Sequence, residues 1–410
     1  MPDHDTIGTL RLPARVHFGY GARAQLPEIV RVHGRRVLAV VDPFLIRTPF
    51  LDDITGQLTA AGLEVSVYSD VTPELPVDTL DAGAAAAREY GADVVLAIGG
   101  GSALDAAKLI ALLSTHDGPL NRYYGENLVP GPLVPIVAVP TTAGTGSEVT
   151  PVAVVSDPAR EIKVGISSPF LVPVAAVVDP ELTLGTPATV TAYSGIDALV
   201  HAVESYTARS FEVDWSAPLR VFTGRNALVG SIALQAARHL GPWLPVAVRE
   251  PTDRRARQEV AMGSLLGGVA FGSTGTHLCH ALQYPIGALT KTPHGLGTGL
   301  MLPYVLDALR VEPGVAGRIA DLSAAIEGIR ADEASAERAI NRIAEINREI
   351  AVPATLAEIG VTRDHLPRIA DLALGSTRLV AIAPVTPSRD LLLEILERAH
   401  EGALMDRSPD

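Results

Sequence analysis

The chain reads as an α/β protein in two parts: a parallel sheet with helices on both faces over residues 1–185, then an all-α part over residues 186–410. Two patterns predict this. In the first part short β-rich runs alternate with Ala-rich helical stretches, the order expected of a parallel sheet covered on both faces. After residue 185 the apolar periodicity becomes almost wholly helical. With 410 residues and 47% hydrophobic content, the chain can bury substantial cores.

The elements follow in order. RRVLAVVD at 35–42 is the first strand, closing on Asp42. LEVSVYSD at 63–70, ADVVLAIGGG at 92–101 and VPIVAVPTT at 134–142 continue the sheet, and VAAVVDPEL at 174–182 is its last strand. Each is rich in β-branched residues and bounded by turn formers. Beyond them, ALVGSIALQAARHL at 227–240 and ASAERAINRIAEINREI at 334–350 carry helical periodicity. The mixed charges of 329–350 read as a solvated helix face. Pro and Gly punctuate these helices, and no internal repeat is present.

Two glycine-rich turns in the first part carry chemistry. VVLAIGGGSALDAAKLIA runs from a strand through Gly99, Gly100, Gly101 and Ser102 into an amphipathic helix. Backbone N–H groups at that helix start can cradle a pyrophosphate, and a Cβ would hold the phosphate away. The segment is not the G-x-G-x-x-G fingerprint, so a purely structural turn stays open. PTTAGTGSEVT at 140–150 follows another strand and sets Thr141, Thr142, Thr145 and Ser147 among glycines, small hydroxyls suited to phosphate, ribose or amide contacts. Asp42 has two readings of equal weight. A carboxylate at an early strand's end can bind adenosine ribose hydroxyls and repel a 2′-phosphate, favouring NAD over NADP; Asp42-Pro43 is equally a helix cap.

The second part holds a candidate metal centre. Asp197 and His201 stand four apart in SGIDALVHAVESY, and 79 residues later His280 and His294 follow in CHALQYPIGALTKTPHG. Residues at i and i+4 project from one helix face, so Asp197 and His201 can share an ion. A second helix can add His280, and the turn after Thr292-Pro293 can add His294. Each residue alone is more often structural. However, Asp197 and His201 interrupt an apolar run, where a carboxylate without compensation is costly, and a divalent cation would compensate it. Three imidazoles and one carboxylate suit Fe2+ or Zn2+ better than Mg2+ or Ca2+.

Composition excludes other classes. The formal charge is −13, from 33 basic and 46 acidic residues, and there is no basic tract, so neither nucleic acid nor a membrane surface is an expected partner. The opening MPDHDTIGTLRLPARVHFG lacks a charged n-region and an apolar h-region, and no run is long enough to span a membrane. The single cysteine, Cys279, excludes an intrachain disulfide framework and fits a reducing cytoplasm. A thiolate ligand is one reading of it; a small buried filler is the better one.

Taken together, GGGSALDAAK, PTTAGTGSEVT, VVDPELT, GIDALVHAVESY and HALQYPIGALTKTPHG resemble the iron-dependent (group III) alcohol dehydrogenases, which share a fold with glycerol dehydrogenase and dehydroquinate synthase. The resemblance spans most of residues 10–310 and keeps the family's motif order. It implies an N-terminal dinucleotide-binding domain, a helical metal-binding domain, and a cleft between them for NAD(P) and metal. It carries ligand roles to Asp197, His201, His280 and His294, with Fe2+ expected and Zn2+ the alternative. It carries cofactor roles to Asp42, Gly99, Gly100, Gly101, Ser102, Thr141, Thr142, Thr145 and Lys163, the last in KVGISSPFLVP, and gives Asp42 the look of the NAD-preferring form. The implied reaction is hydride transfer between a primary alcohol or aldehyde and NAD(H), in an expected homodimer.

Departures from the pattern qualify the site. Many members carry a further His four residues after the third ligand, for a proton relay or substrate contact; here the position is Tyr284. His277, three residues before His280, is a candidate replacement, alongside a packing role. The segment 211–230 reads as extended, with consequences for the cleft entrance or an oligomer contact. Tyr206, Phe271, Tyr284 and Leu289 are the expected apolar pocket lining. Specialised reductases of phosphonoacetaldehyde or maleylacetate type are the alternative, and a dehydroquinate synthase-like cyclase is disfavoured because only Lys163 and Lys291 could serve its polyanionic substrate.

Overall fold

The computed structural model describes residues 8–72, 75–157 and 163–404. Residues 1–7, the start of the N-terminal stretch MPDHDTIGTLRLPARVHFG, lie outside the described set. The described chain forms two compact units, residues 11–186 and residues 8–10 with 187–404.

The first unit is built on a six-stranded parallel sheet of β1 (Arg15–Phe18), β2 (Arg36–Val41), β3 (Glu64–Tyr68), β4 (Val94–Gly99), β6 (Ile136–Pro140) and β9 (Ala175–Val178), in the order β1-β9-β6-β4-β2-β3. Its inner strands β2, β4, β6 and β9 are apolar on both faces because both faces are covered, whereas the edge strands β1 and β3 carry polar residues and are partly exposed. Leu38, Val40, Val95, Ala97 and Ala138 enter one core, and Val37, Ala39, Val41, Leu96, Ile98, Val137 and Val139 the other. Helices α1 (Leu26–Arg31) and α2 (Pro49–Ala60) bury residues in the second core, α3 (Val77–Tyr90) and α4 (Gly101–Thr115) in the first. A three-stranded sheet, order β5-β8-β7, joins β5 (Gly125–Glu126), β7 (Val152–Val155) and β8 (Val164–Ser167).

Strand order sets where a ligand can sit. After β2 the chain passes outward to β3, then crosses back to β4 on the other side of β2, so β2 and β4 flank the switch point. Open α/β sheets bind ligands outside the carboxyl ends of the strands at that point. Here those ends carry Asp42 and the Gly99 turn, with Thr141 following β6 alongside.

The second unit is helical. Its opening helices are α5 (Ala188–Thr207), α6 (Gly230–Arg249), α7 (Arg254–Thr274), α8 (Leu278–Thr290) and α9 (His294–Leu309), and further helices run from Pro313 to Glu401. The 227–240 periodicity becomes α6, which continues through Pro242 and Pro245. The segment 211–230 is irregular up to α6 and is pinned to the end of α7 by Thr223 and Gly224 amides, which donate to Ser273 and Thr274. Thr9, among the first described residues, joins this unit through its hydroxyl contact with Thr223.

Candidate functional site

Three helices of the second unit bring the ligand candidates together. Asp197 and His201 lie one turn apart on α5, His280 is in the first turn of α8, and His294 opens α9. Asp197, His201 and His280 are only 3–4% exposed. Asp197 Oδ2 lies 3.7 Å from His201 Nε2, and Oδ1 lies 3.8 Å from the Nε2 atoms of both His280 and His294. The Nε2 atoms of His201 and His280 are 3.2 Å apart. Donors around an ion held at about 2.0–2.2 Å sit roughly 3.3–3.6 Å from one another in a tetrahedral shell. Asp197, His280 and His294 offer donor atoms all within 4.8 Å of one another, close enough to share one cation, and His201 borders that trio through Asp197 and His280.

Glycines allow that convergence. A Cβ on Gly295 would overlap the Tyr193 carbonyl oxygen, and one on Gly299 would come 2.6 Å from Ile196. The start of α9 therefore lies flush on α5, which delivers His294 to Asp197. Phe271 of α7 stacks on His201 with ring centroids 4.2 Å apart.

A second layer fixes the donors. Glu204, two turns beyond Asp197 and fully buried, accepts the Nδ1–H of His280 at 2.7 Å. Gln283 Oε1 accepts the Nδ1–H of His294 at 2.6 Å. Thr298 donates its hydroxyl to Asp197 Oδ1 at 2.7 Å. In each ring the proton on Nδ1 leaves Nε2 as a lone pair directed at the cluster. Burial alone would raise the Asp197 carboxyl, yet His201, His294 and His280 hold it below the usual range. Burial likewise opposes Glu204, but His277 and His280 bring it to about 2.

The relay candidates fall differently. Tyr284 is 7% exposed, its ring 6.1 Å from that of His294. His277 caps α8 from outside its first turn and is fully buried. Its Nδ1 accepts the Leu278 amide at 2.8 Å, and its Nε2 meets the Thr207 hydroxyl at 2.9 Å. Of the expected pocket lining, Phe271 and Tyr284 touch the cluster's rings, whereas Tyr206 donates to Asp321 and Leu289 is 44% exposed. Cys279 is a buried thiol whose pKa burial and Glu204 push well up, the behaviour of a filler.

In the first unit the glycine turns pack into one another. Gly99, with φ 153°, would bring a Cβ 2.7 Å from that of Asp42. A Cβ on Gly101 would come 2.5 Å from Thr145 Cγ2, and one on Gly100 3.3 Å from Thr142 Oγ1. Gly99, Gly100, Gly101, Ser102, Thr141, Thr142 and Thr145 therefore gather at one end of the sheet, with α4 starting among them. Asp42 Oδ1 accepts the Phe44 amide at 3.0 Å, so its capping role is present. Lys163 directly precedes β8.

Sequence reasoning missed the bracing beneath these turns. Asp105 of α4 accepts the Ser147 hydroxyl at 2.6 Å and the Val154 amide at 2.9 Å. Lys108, fully buried, donates to the carbonyls of Thr150 and Val152 at 2.8 and 2.9 Å. Burial lowers its ammonium to about 8, with Asp105 and Glu148 opposing. The signal was available: Asp105 and Lys108 are the charged residues of an otherwise apolar and small-residue α4.

Comparison with known proteins finds relatives along nearly the whole chain. The family model described as iron-containing alcohol dehydrogenase matches residues 13–180, and the C-terminal model of the Fe-containing alcohol dehydrogenase family matches 191–400. Long-chain-alcohol dehydrogenase 1 of Geobacillus thermodenitrificans is 34% identical over 408 residues, covering 98% of this chain and 99% of that protein. NAD-dependent methanol dehydrogenase of Bacillus methanolicus is 33% identical, covering 87% and 91%. A crystal structure of 1,3-propanediol oxidoreductase superposes with a TM-score of 0.87 at 31% identity, covering 96% of this chain and all of the other.

Proposed function

The chain belongs to the iron-containing alcohol dehydrogenase family, and on that footing we propose that it moves hydride between a small or medium primary alcohol, or its aldehyde, and NAD(H). The convergence of Asp197, His201, His280 and His294, with the His280 and His294 rings held from behind, carries this reading. A borderline divalent cation, Fe2+ or Zn2+, held by those four residues would supply a Lewis acid that lowers the pKa of the substrate hydroxyl. NAD, held by Asp42, Gly99, Gly100, Gly101, Ser102, Thr141, Thr142, Thr145 and Lys163, would supply the hydride acceptor.

The protein's own contributions follow from its residues. The glycines of the first turn keep Cβ atoms from the pyrophosphate, and the start of α4 offers it N–H groups. Asp42 takes the adenosine ribose hydroxyls. Its Oδ1 already holds the Phe44 amide, but a carboxylate has lone pairs for both tasks. NAD preference is supported by that carboxylate and by the name of the methanol dehydrogenase relative. Phe271 and Tyr284 provide apolar surface beside the ligands and exclude water. Tyr284 is assigned to substrate contact. His277, with both ring nitrogens engaged, is assigned to support of α8 rather than to a proton relay. We further propose a cytoplasmic homodimer, a reducing setting in which the buried thiol of Cys279 persists.

A panel of primary alcohols with NAD+ and NADP+, and of aldehydes with the reduced cofactors, tests the reading. Net NADH formation from primary alcohols is expected, with NAD+ preferred. A product formed without net change in the cofactor would identify a cyclase instead, and aldehyde reduction confined to anionic substrates would favour the specialised reductases.

A further inference from the structure

We infer that Glu204 is the positioning residue of the metal centre: from α5 its one carboxylate sets both the start of α8 and the ring of His280, and thereby tunes the affinity for the ion. This inference rests on the metal reading proposed above. Glu204 follows Asp197 by seven residues and His201 by three, so the three project from neighbouring positions along one side of α5. Its carboxylate is fully buried. It accepts the His277 amide at 2.9 Å, the Cys279 amide at 2.6 Å and His280 Nδ1 at 2.7 Å.

Those partners explain why a charge is tolerated there. Two are backbone N–H groups at the start of α8, which lack partners inside the helix and sit at the positive end of its dipole. The third belongs to His280, whose other nitrogen faces Asp197 and His201. One carboxylate thus fixes the position of α8 against α5, the rotation of the imidazole and the nitrogen that bears its proton. His294 is backed only by the neutral amide oxygen of Gln283. An anion behind a ligating imidazole also raises its basicity, and loss of such partners typically weakens metal binding about 10–100-fold. The sequence carried the signal in HAVESY, where Glu204 is the next charged residue after Asp197 in an apolar helix.

Glu204→Gln keeps the size of the side chain but removes the charge and replaces one acceptor oxygen by an NH2. Zinc and ferrous iron affinities of the full chain are measured by chelator competition, with NAD+ affinity and the melting temperature of the metal-free protein recorded alongside. The expected result is an increase of about 10–100-fold in the metal Kd with NAD+ affinity unchanged. A lower melting temperature with a metal Kd equal to that of wild type would reduce Glu204 to a helix cap and overturn the inference. If Glu204→Gln does not fold, Glu204→Asp, which keeps the charge but draws it back, decides: several-fold weaker metal binding supports the inference, and wild-type affinity overturns it. Failure of the wild-type chain to bind either ion would defeat the metal reading itself, an outcome distinct from a variant that binds as wild type does.

Discussion

Asp42 directly follows β2 with one carboxylate oxygen already taken by the Phe44 amide, so its value to a nucleotide is a question of charge as much as of bonding. Replacing Asp42 with Gly removes the repulsion toward a 2′-phosphate and the acceptor for the ribose hydroxyls. The NADP/NAD ratio of kcat/KM is expected to rise about tenfold or more, roughly 1.4 kcal/mol of lost discrimination, while loss of the cap to glycine costs only about a few tenths of a kcal/mol of stability. An unchanged ratio with lowered stability would leave Asp42 as a cap alone. At this scale legibility followed contrast with the surroundings. Asp197 and His201 stood out because they break an apolar helix and are followed by two further histidines at a distance. Glu204 broke the same helix, but two of its three partners are backbone N–H groups at the start of α8, which leave no mark in the sequence.

Among the elements, α4 joins the two glycine turns: its first turn begins at the first of them, and its second and third turns hold the other. Asp105 binds Ser147 and the Val154 amide, and Lys108 binds the carbonyls of Thr150 and Val152. Asp105→Asn keeps the shape but not the charge and leaves Lys108 buried without the stronger of its two countercharges, Asp105 and Glu148. The expected outcome in steady-state kinetics is a several-fold rise in KM for NAD+ with a smaller change in kcat, together with a loss of about 1–3 kcal/mol in denaturant unfolding. Equal effects on both kinetic constants would place the damage elsewhere than the loop. The five strands expected from sequence are present, four of them within two residues of their expected bounds; the fifth, expected over 174–182, ends at Val178 because Asp179 caps a 3-10 turn over Pro180–Thr183. Those missed were β1, at the sheet edge, and β5, β7 and β8, whose two to four residues are too short to carry a period. Lys108 was missed for a related reason: one lysine on an amphipathic helix reads as solvated until β7 is known to cover it.

Across the whole molecule, fold class was legible because each part is internally consistent, alternating strands and helices first and periodic helices after. The packing that turns motifs into sites was not, since it depends on contacts far apart in the chain: Gly295 against Tyr193, Gly101 against Thr145, Glu204 against the start of α8. The proposed ligand set lies wholly in the helical unit and the glycine turns wholly in the sheet unit. The proposed metal and nucleotide sites are therefore separable by experiment. The most direct test determines bound metal and NADH formation from a primary alcohol for wild type, for wild type stripped by a chelator and then resupplied with Fe2+ or Zn2+, and for His280→Ala and His294→Ala. The account predicts about one ion per chain in wild type, with a loss on stripping of about three orders of magnitude or more in turnover, for several kcal/mol of missing Lewis-acid stabilisation. It also predicts recovery on resupply, and variants that retain NAD+ affinity but neither ion nor activity. Wild-type turnover by protein shown to be free of metal would contradict it.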